Sequence, residues 1–169
     1  MTYEDPNHKE SQIKRWMSVK GAEKEQIEQV RQLFREYADS LQTDLCFQQF
    51  EDELAALLGV YAQPEGAIIL VMVDHKPAGC VALKPLSNAI CEMKRLFVKR
   101  QYRGMGLGRQ LVERIIREAK ERKYHYIRLD TLPEMEEAQR MYENVGFYDI
   151  EPYVHNPIQG ARCMELKIE

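Results

Sequence analysis

The spacing of hydrophobic residues along this chain alternates between a helical and a strand-like pattern. Near the N-terminus, apolar residues recur every three or four positions, the period of an amphipathic helix; they are Ile27, Val30, Phe34, Tyr37 and Leu41. Other apolar runs are short, rich in branched residues and bounded by turn residues, which is typical of strands. The pattern predicts strands over residues 13–19, 67–73, 78–83, 90–98, 126–131, 147–153 and 162–168, and helices over 22–40, 47–58, 105–123 and 133–144.

The predicted order of elements, β-α-α-β-β-β-α-β-α-β-β, indicates an α/β fold, an α+β mixed sheet with helices on both faces. The chain has 169 residues, of which 44% are hydrophobic and 30% charged. That length and composition suit a single domain over residues 1–169 with a sizeable core. Residues 1–11 are polar and charged, and we predict a loose tail there.

The four cysteines, Cys46, Cys80, Cys91 and Cys163, form no CxxC pair and have no histidine at metal-ligand spacing. We therefore expect no metal site, and free thiols suit a reducing compartment. The polar N-terminus does not resemble a signal peptide, and the longest apolar run, residues 67–73, is far shorter than the ~20 residues of a membrane helix. Together these features predict a cytoplasmic location without membrane association.

Charge is unevenly distributed, although the formal net charge is only −3. Residues 36–74 contain eight acids and no lysine or arginine, whereas residues 94–128 contain twelve bases and three acids. Solvated helix faces are the simplest interpretation. The alternative is a basic bed for an anionic cofactor beside an acidic approach for a cationic substrate. The sequence has no basic stripe interleaved with aromatic residues, so it gives no indication of a nucleic-acid partner.

A glycine-rich segment between a predicted strand and a predicted helix carries most of the chemical information. Residues 101–109 hold Gly104, Gly106 and Gly108 at alternate positions, with Arg103 and Arg109 on either side. Bare backbone at a helix N-terminus presents unpaired N–H groups, and the helix dipole adds to the attraction for an anion. The segment therefore predicts a phosphate-bearing cofactor.

Two familiar phosphate-binding loops fit this segment poorly. A dinucleotide fingerprint needs a third glycine at the position of Arg109, although Asp130 ends the next strand roughly where a ribose-binding acid would lie. The remaining parallel units of that fold are also missing. A P-loop is excluded because no Gly-Lys-Ser/Thr follows the glycines.

The segment instead resembles the Arg/Gln-x-x-Gly-x-Gly/Ala signature of the GNAT acyltransferase superfamily, which appears here as residues 101–106. Residues 91–98 look like the fourth strand of that family. Residues 138–147 are similar to its second motif, a helix with a tyrosine followed by Gly-Phe. The two motifs occur in the right order about forty residues apart, and the resemblance extends over nearly the whole chain.

The resemblance implies acetyl-CoA, or another acyl-CoA, as the co-substrate. Its pyrophosphate would lie over the backbone amides of residues 103–109, and its pantetheine arm would run along the main chain of the fourth strand. The cofactor-binding candidates are thus Leu96, Phe97, Val98, Arg103, Gly104, Met105, Gly106, Leu107, Gly108 and Arg109.

Acyl transfer to an amine requires a proton acceptor, stabilisation of an oxyanion and a proton for the departing thiolate. Tyr142 matches the family's motif tyrosine and is the candidate acid; a core tyrosine is the alternative. Glu92 is the candidate base, directly or through a water, unless it is simply a paired surface carboxylate. His155, in the loop between the last two strands, is a second candidate base. Main-chain N–H groups at a bulge in the fourth strand are candidates for the oxyanion.

The resemblance therefore predicts an N-acetyltransferase that moves an acetyl group from acetyl-CoA to an amine by direct attack in a ternary complex. The acceptor, a small molecule or a peptide amine, is not named by the sequence, although the acidic stretch favours a cationic one. A non-catalytic acyl-CoA-binding module and a nucleotide-dependent oxidoreductase are the alternatives. Dimers are frequent in this superfamily, so a homodimer stays open.

Overall fold

A computed structural model describes residues 12–21, 23–41 and 49–168. In these ranges seven strands form one sheet with the order β1-β2-β3-β4-β5-β7-β6. The strands are β1 (Lys14–Ser18), β2 (Ala67–Val73), β3 (Lys76–Pro85), β4 (Ile90–Val98), β5 (Tyr126–Thr131), β6 (Tyr148–Ile150) and β7 (Arg162–Lys167). The helices are α1 (Lys24–Ser40), α2 (Phe50–Ala55), α3 (Leu57–Val60), α4 (Leu107–Glu121) and α5 (Glu136–Val145), with a 3-10 turn at Arg100–Tyr102. The predicted mixed α/β fold is confirmed.

The pairing of β4 with β5 determines where a ligand can enter the sheet. These two strands are parallel and pair only through Ile90/Tyr126, Cys91/Ile127 and Glu92/Arg128. The other neighbouring strands are antiparallel. Beyond Glu92 the two strands no longer pair, although β4 continues to Val98 and β5 to Thr131. The sheet is therefore open between their carboxyl-terminal halves.

Two hydrophobic cores cover the two faces of the sheet. One contains the apolar side of α4, including Leu111 and Ile115, together with Leu129 and Tyr142. The other lies under α1, α2 and α3 and includes Phe97. The all-apolar strand β2 is buried along its whole length because its alternating side chains enter both cores.

Several element boundaries differ from prediction, and four of the differences have an evident local cause. The second helix begins at Phe50 in the described residues and is broken at Ala56, whose φ of −111° and ψ of 35° leave the helical region. Helix α4 begins at Leu107 instead of 105 because Gly104 and Gly106 have positive φ. A turn in which Met135 N–H donates to the Leu132 carbonyl delays α5 until Glu136.

The fourth difference concerns β6, which was predicted over 147–153 but covers only Tyr148–Ile150. Pro152 has no N–H to donate to a strand ladder, and the chain leaves the sheet before it. Tyr153 and Asn156 instead contact side chains of β4 and β5. Residues 1–11 and 42–48, including Cys46, lie outside the described residues.

Candidate active site

The glycine loop forms an uncapped helix N-terminus next to the end of β4. Gly104 and Gly106 have φ of 83° and 76°, a left-handed conformation that glycine adopts at low cost. Gly106 is the N-cap of α4, and no side chain caps the helix. The first N–H groups of the helix therefore have no partner within it, and the positive end of its dipole points into the loop.

The space around these glycines shows which of them the fold itself requires. A Cβ at Gly104 would meet nothing within 4 Å, and one at Gly108 would meet only Val98 Cγ2 at 3.9 Å. The positive φ of Gly104 and Gly106 explains why glycine is found at these two positions. Gly108 has neither a positive φ nor a close neighbour, so packing in the described structure does not require a glycine there.

The other residues of the predicted loop have different environments. Arg103 Nε donates to the Val98 carbonyl at 3.2 Å, which holds the loop against the end of β4. Arg109 Nε contacts Glu113 Oε1 at 3.0 Å on the exposed side of α4. Leu107 is buried and Met105 packs against the same core, so these two could contact a ligand through their main chain, in keeping with a backbone-lined site.

Strand β4 contains a bulge where it separates from β5. Cys80 pairs with Phe97 but Ala82 pairs with Lys94, so β4 has one more residue than β3 in this interval. Arg95 has a φ of 59°, which places the extra residue in the left-handed region. Such a bulge redirects main-chain groups, and it occurs here on the strand predicted to hold the pantetheine arm.

A buried ion pair fixes the bulge to α2. Arg95 is 5% exposed and Glu53 is 7% exposed. Arg95 Nε and Nη2 donate to the two oxygens of Glu53 at 2.8 and 3.1 Å. Burial lowers the pKa of Arg95, but the hydrogen bond and the charge of Glu53 outweigh it and the pKa lies above its usual value. The rings of Tyr37 and Phe50 lie 5.9 and 5.3 Å from the guanidinium carbon.

The side chains of Leu96, Phe97 and Val98 pack into the two cores. Leu96 and Val98 pack against the core that contains α4, whereas Phe97 belongs to the opposite core and meets the ring of Tyr37 edge-on at 6.0 Å. Their main chain forms the edge of β4 that does not pair with β5. An extended ligand can add to such an edge by main-chain hydrogen bonds.

A cleft occupies the opening between β4 and β5. Its lining combines the bulge, the end of β5, the start of α5 and one side chain of α1. The lining residues are Tyr37, Met93, Lys94, Arg95, Leu96, Leu129, Asp130, Leu132, Met135, Ala138 and Tyr142.

Tyr142 enters the cleft from α5. Its ring packs against that of Phe147, with the centroids 5.7 Å apart. Phe147 is the phenylalanine of the Gly-Phe pair that follows the helix. Burial, together with the charges of Tyr37 and Asp130, raises the pKa of its hydroxyl well above 10. The phenol is therefore protonated throughout the physiological range, which is the state that a general acid requires.

Glu92 lies beside the cleft without lining it. The carboxylate is 1% exposed. Tyr153 Oη donates to its Oε2 at 2.6 Å, and the ammonium groups of Lys84 and Lys94 each lie 3.6 Å from its Oε1. Burial and the Glu92 charge raise the pKa of Tyr153, which keeps this donor protonated. Glu92 thus has a hydrogen bond on Oε2 and two ion pairs at Oε1.

His155 is exposed and does not line the cleft. Its neighbour Asn156 does reach the site, where Nδ2 donates to Asp130 Oδ2 at 3.1 Å. Asp130 also lies 4.0 Å from Lys94 Nζ. In the sequence analysis, Asp130 was considered only as the ribose-binding acid of the dinucleotide alternative. Its position at the end of a strand was the only sign of a functional role, because the sequence does not show that β4 and β5 separate.

The acidic stretch does not form one surface among the described residues. Glu36 contacts Lys99 at 3.5 Å, Glu53 pairs with Arg95, and Asp74 accepts from the main-chain N–H of Ile13 at the far end of β2. Of the acids in this stretch, Glu53 lies next to the cleft through its ion pair. These acids of the stretch therefore have different partners in different parts of the fold.

Two further features concern metals and membranes. Within residues 12–21, 23–41 and 49–168, no group of three or more His, Cys, Asp or Glu side chains could hold a metal ion. No helix in those ranges combines the length and apolar character needed to cross a membrane.

Solved structures of known proteins have a similar fold. An acetyltransferase of the GNAT family from Staphylococcus aureus Mu50 superimposes with a TM-score of 0.77 at 20% identity, covering 93% of this chain and 100% of that one. A GNAT family acetyltransferase from Elizabethkingia anophelis, with acetyl-CoA bound, superimposes with a TM-score of 0.54 at 22% identity, covering 66% of this chain and 81% of that one. Both likenesses concern the fold.

Sequence comparison identifies the family. An uncharacterised N-acetyltransferase of Schizosaccharomyces pombe is 38% identical over 144 residues, which is 84% of this chain and 88% of that protein. The family model described as Acetyltransferase (GNAT) family matches residues 27–147. The chain therefore belongs to the GNAT acetyltransferase family and is an acyltransferase enzyme.

Proposed function

We propose that this enzyme transfers the acetyl group of acetyl-CoA to a primary amine by direct attack within a ternary complex. The observation that carries the proposal is the opening between β4 and β5. It begins beside the uncapped N-terminus of α4 and leads to the hydroxyl-bearing side chain of Tyr142. A long anionic thioester fits this arrangement because its diphosphate end needs main-chain N–H donors, which the start of α4 offers, and its thioester end needs a proton donor, which Tyr142 offers.

The diphosphate of the co-substrate suits the glycine loop. Two positive-φ glycines and an uncapped helix start present main-chain N–H groups to an anion. The open space at Gly104 and Gly108 allows a phosphate to approach the backbone closely. Arg103 and Arg109 add positive charge at the surface of the same loop.

The residues of the cleft divide the chemical work. A main-chain N–H at the Arg95 bulge stabilises the carbonyl oxygen as the amine nitrogen attacks the thioester carbon. Tyr142 donates its proton to the sulfur as the carbon–sulfur bond breaks, and the attacking nitrogen gives up its own proton to a base. The products are an amide and the free thiol of CoA. Glu92, the base predicted from the sequence, does not line the cleft. It forms an ion pair with Lys94, which does.

The proposal is tested by following free thiol release from acetyl-CoA with a panel of alkylamines, polyamines, amino acids and short peptides. We expect turnover with at least one amine and none with alcohols of the same shape. Binding of acetyl-CoA without thiol release to any amine would contradict the proposed transfer. Release with neutral or anionic acceptors alone would contradict the preference for a cationic amine.

Replacing Gly108 with alanine separates the loop's function from its fold. An added Cβ meets only Val98 at 3.9 Å, and alanine stabilises a helix by about 1 kcal/mol relative to glycine. We expect an unchanged or higher melting temperature and a loss of acetyl-CoA affinity of about tenfold or more, measured by calorimetry. The matched control is Gly59→Ala in α3, where the new Cβ meets only Ala56 at 3.9 Å. Equal acetyl-CoA affinity in both variants would contradict a role for Gly108 in binding.

We also propose that the enzyme works in the cytoplasm. Cys80, Cys91 and Cys163 are free and buried, and burial raises the pKa of the Cys91 thiol to about 12. Free thiols of this kind suit a reducing compartment. A fluorescent fusion is expected to give a diffuse cytoplasmic signal, and a purely vesicular or surface signal would contradict the proposal.

A further inference from the structure

Asp130 faces the side of the cleft opposite the glycine loop. Its neighbour Leu129 enters the core that contains α4, and successive strand residues point to opposite faces. Asp130 therefore lies on the face covered by α1, and it lines the cleft together with Tyr37 and Tyr142. An acceptor entering from this face would meet Asp130 before it reached the thioester.

The two oxygens of Asp130 have different surroundings. Oδ2 accepts a hydrogen bond from Asn156 Nδ2 at 3.1 Å. Oδ1 forms an ion pair with Lys94 Nζ at 4.0 Å, a separation too long for a hydrogen bond. Lys94 is closer to the buried Glu92, at 3.6 Å. Asp130 is thus oriented by an amide on one oxygen and keeps the capacity to accept a further proton donor on the other.

Glu92 provides the contrast that makes this assignment specific. Its side chain is 1% exposed whereas that of Asp130 is 10% exposed. Tyr153 donates a hydrogen bond to its Oε2, and Lys84 and Lys94 form ion pairs with its Oε1 at 3.6 Å. Of these two carboxylates, the one that lines the cleft is Asp130.

The charge of Asp130 also acts on the reacting end of the cleft. It is one of the charges that raise the pKa of Tyr142, after burial and Tyr37. It similarly contributes, after burial, to a pKa of about 12 for Tyr37. Asp130 therefore acts electrostatically on both hydroxyl groups, and all three side chains line the same cleft.

Resting on the proposed function, we propose that Asp130 binds the ammonium group of the acceptor and removes its proton. The proton passes from the amine nitrogen to Asp130 Oδ1, which leaves a neutral amine with a free electron pair. That pair forms the new bond to the thioester carbon, and the sulfur leaves with the proton of Tyr142. After the new bond has formed, the nitrogen carries one proton more than the amide; Tyr142 takes up that proton, and Asp130 releases its own to solvent. The acceptor class is a primary alkylamine that is cationic at neutral pH.

Two nucleophiles distinguish this role from a structural one. The wild type, Asp130→Asn and Glu92→Gln are assayed by thiol release with the fastest alkylamine of the panel and with hydroxylamine, which is already neutral at neutral pH. For Asp130→Asn we expect kcat/KM with the alkylamine to fall by about 10²-fold or more. With hydroxylamine the change should be within about threefold, because no proton has to be removed before attack. Glu92→Gln, the matched replacement of a buried carboxylate, should change both rates by the same factor.

Asn156→Ala covers the case in which Asp130→Asn does not fold, since it removes only the donor that orients Asp130. It should lower the alkylamine rate several-fold and leave the hydroxylamine rate unchanged. Equal losses with both nucleophiles in the Asp130 and Asn156 variants, or no loss in either, would overturn the assignment while the proposed function stood. Selective loss of the alkylamine rate in Glu92→Gln would overturn it in favour of Glu92. If the wild type acetylates no amine, the proposed function fails and this inference fails with it.

Discussion

Replacement of Tyr142 by phenylalanine is expected to lower kcat by about 10²-fold or more, the usual contribution of a general acid, while acetyl-CoA affinity stays within about twofold. The phenol lines the cleft, and burial keeps its pKa well above the usual value. The variant loses a proton donor and little volume, because the ring still packs against Phe147. Thiol-release rates and calorimetric titration measure the two quantities separately.

Tyr148→Phe is the matched control for this prediction. Tyr148 is largely exposed on β6, and its hydroxyl donates to Glu165 at 2.6 Å, away from the residues of the cleft. We expect the control to retain its kcat. The raised pKa of Tyr142 also predicts that the acid stays protonated, so kcat should show no alkaline limb from this group below about pH 10. A Tyr142→Phe variant with wild-type kcat would exclude the general acid.

Glu53→Gln is expected to lower the free energy of unfolding by about 3–5 kcal/mol, because it leaves the charge of Arg95 buried without its carboxylate. Arg95 and Glu53 are 5% and 7% exposed and joined by two hydrogen bonds. For a chain of this size the loss corresponds to a melting temperature lower by about 10 °C. Urea denaturation measures the free energy directly.

The control for the ion pair is Glu136→Gln on α5. Glu136 and Arg140 lie 3.6 Å apart, with side chains that are 74% and 73% exposed. An exposed pair of this kind contributes less than about 1 kcal/mol. Similar losses in both variants would show that the buried pair does not hold the bulge. We also expect kcat to fall in Glu53→Gln at temperatures where it is folded, since the pair fixes the main chain proposed to stabilise the oxyanion.

Local patterns in the sequence were sufficient to predict that most of the regular elements exist, and to give the observed bounds of some of them. Strands β2, β4 and β5 have the predicted bounds, because each is a short apolar or alternating run between turn residues. The glycine loop was found because positive φ and an uncapped helix start both require particular residues at fixed spacing. These features depend on neighbours within a few positions of the chain.

The parts that the sequence did not predict depend on contacts between distant positions. Glu53 and Arg95 fall in the separate acidic and basic stretches of the sequence, yet they form one buried pair across 42 positions. Glu92 was the candidate base from the sequence, and its contacts with Tyr153 and Lys84 come from a loop and a neighbouring strand whose proximity the sequence does not show. Asp130 acquires its place in the cleft only because β4 and β5 cease to pair after Glu92. No periodicity in the chain encodes that separation.

The most direct test of the account compares the binding of acetyl-CoA with that of S-acetylpantetheine, which carries the same thioester and arm but no diphosphate. If the main chain of residues 103–109 binds the diphosphate, calorimetry should show saturable binding of acetyl-CoA and affinity for the shorter thioester that is weaker by about tenfold or more. No heat with acetyl-CoA, or equal affinity for the two compounds, would contradict the account.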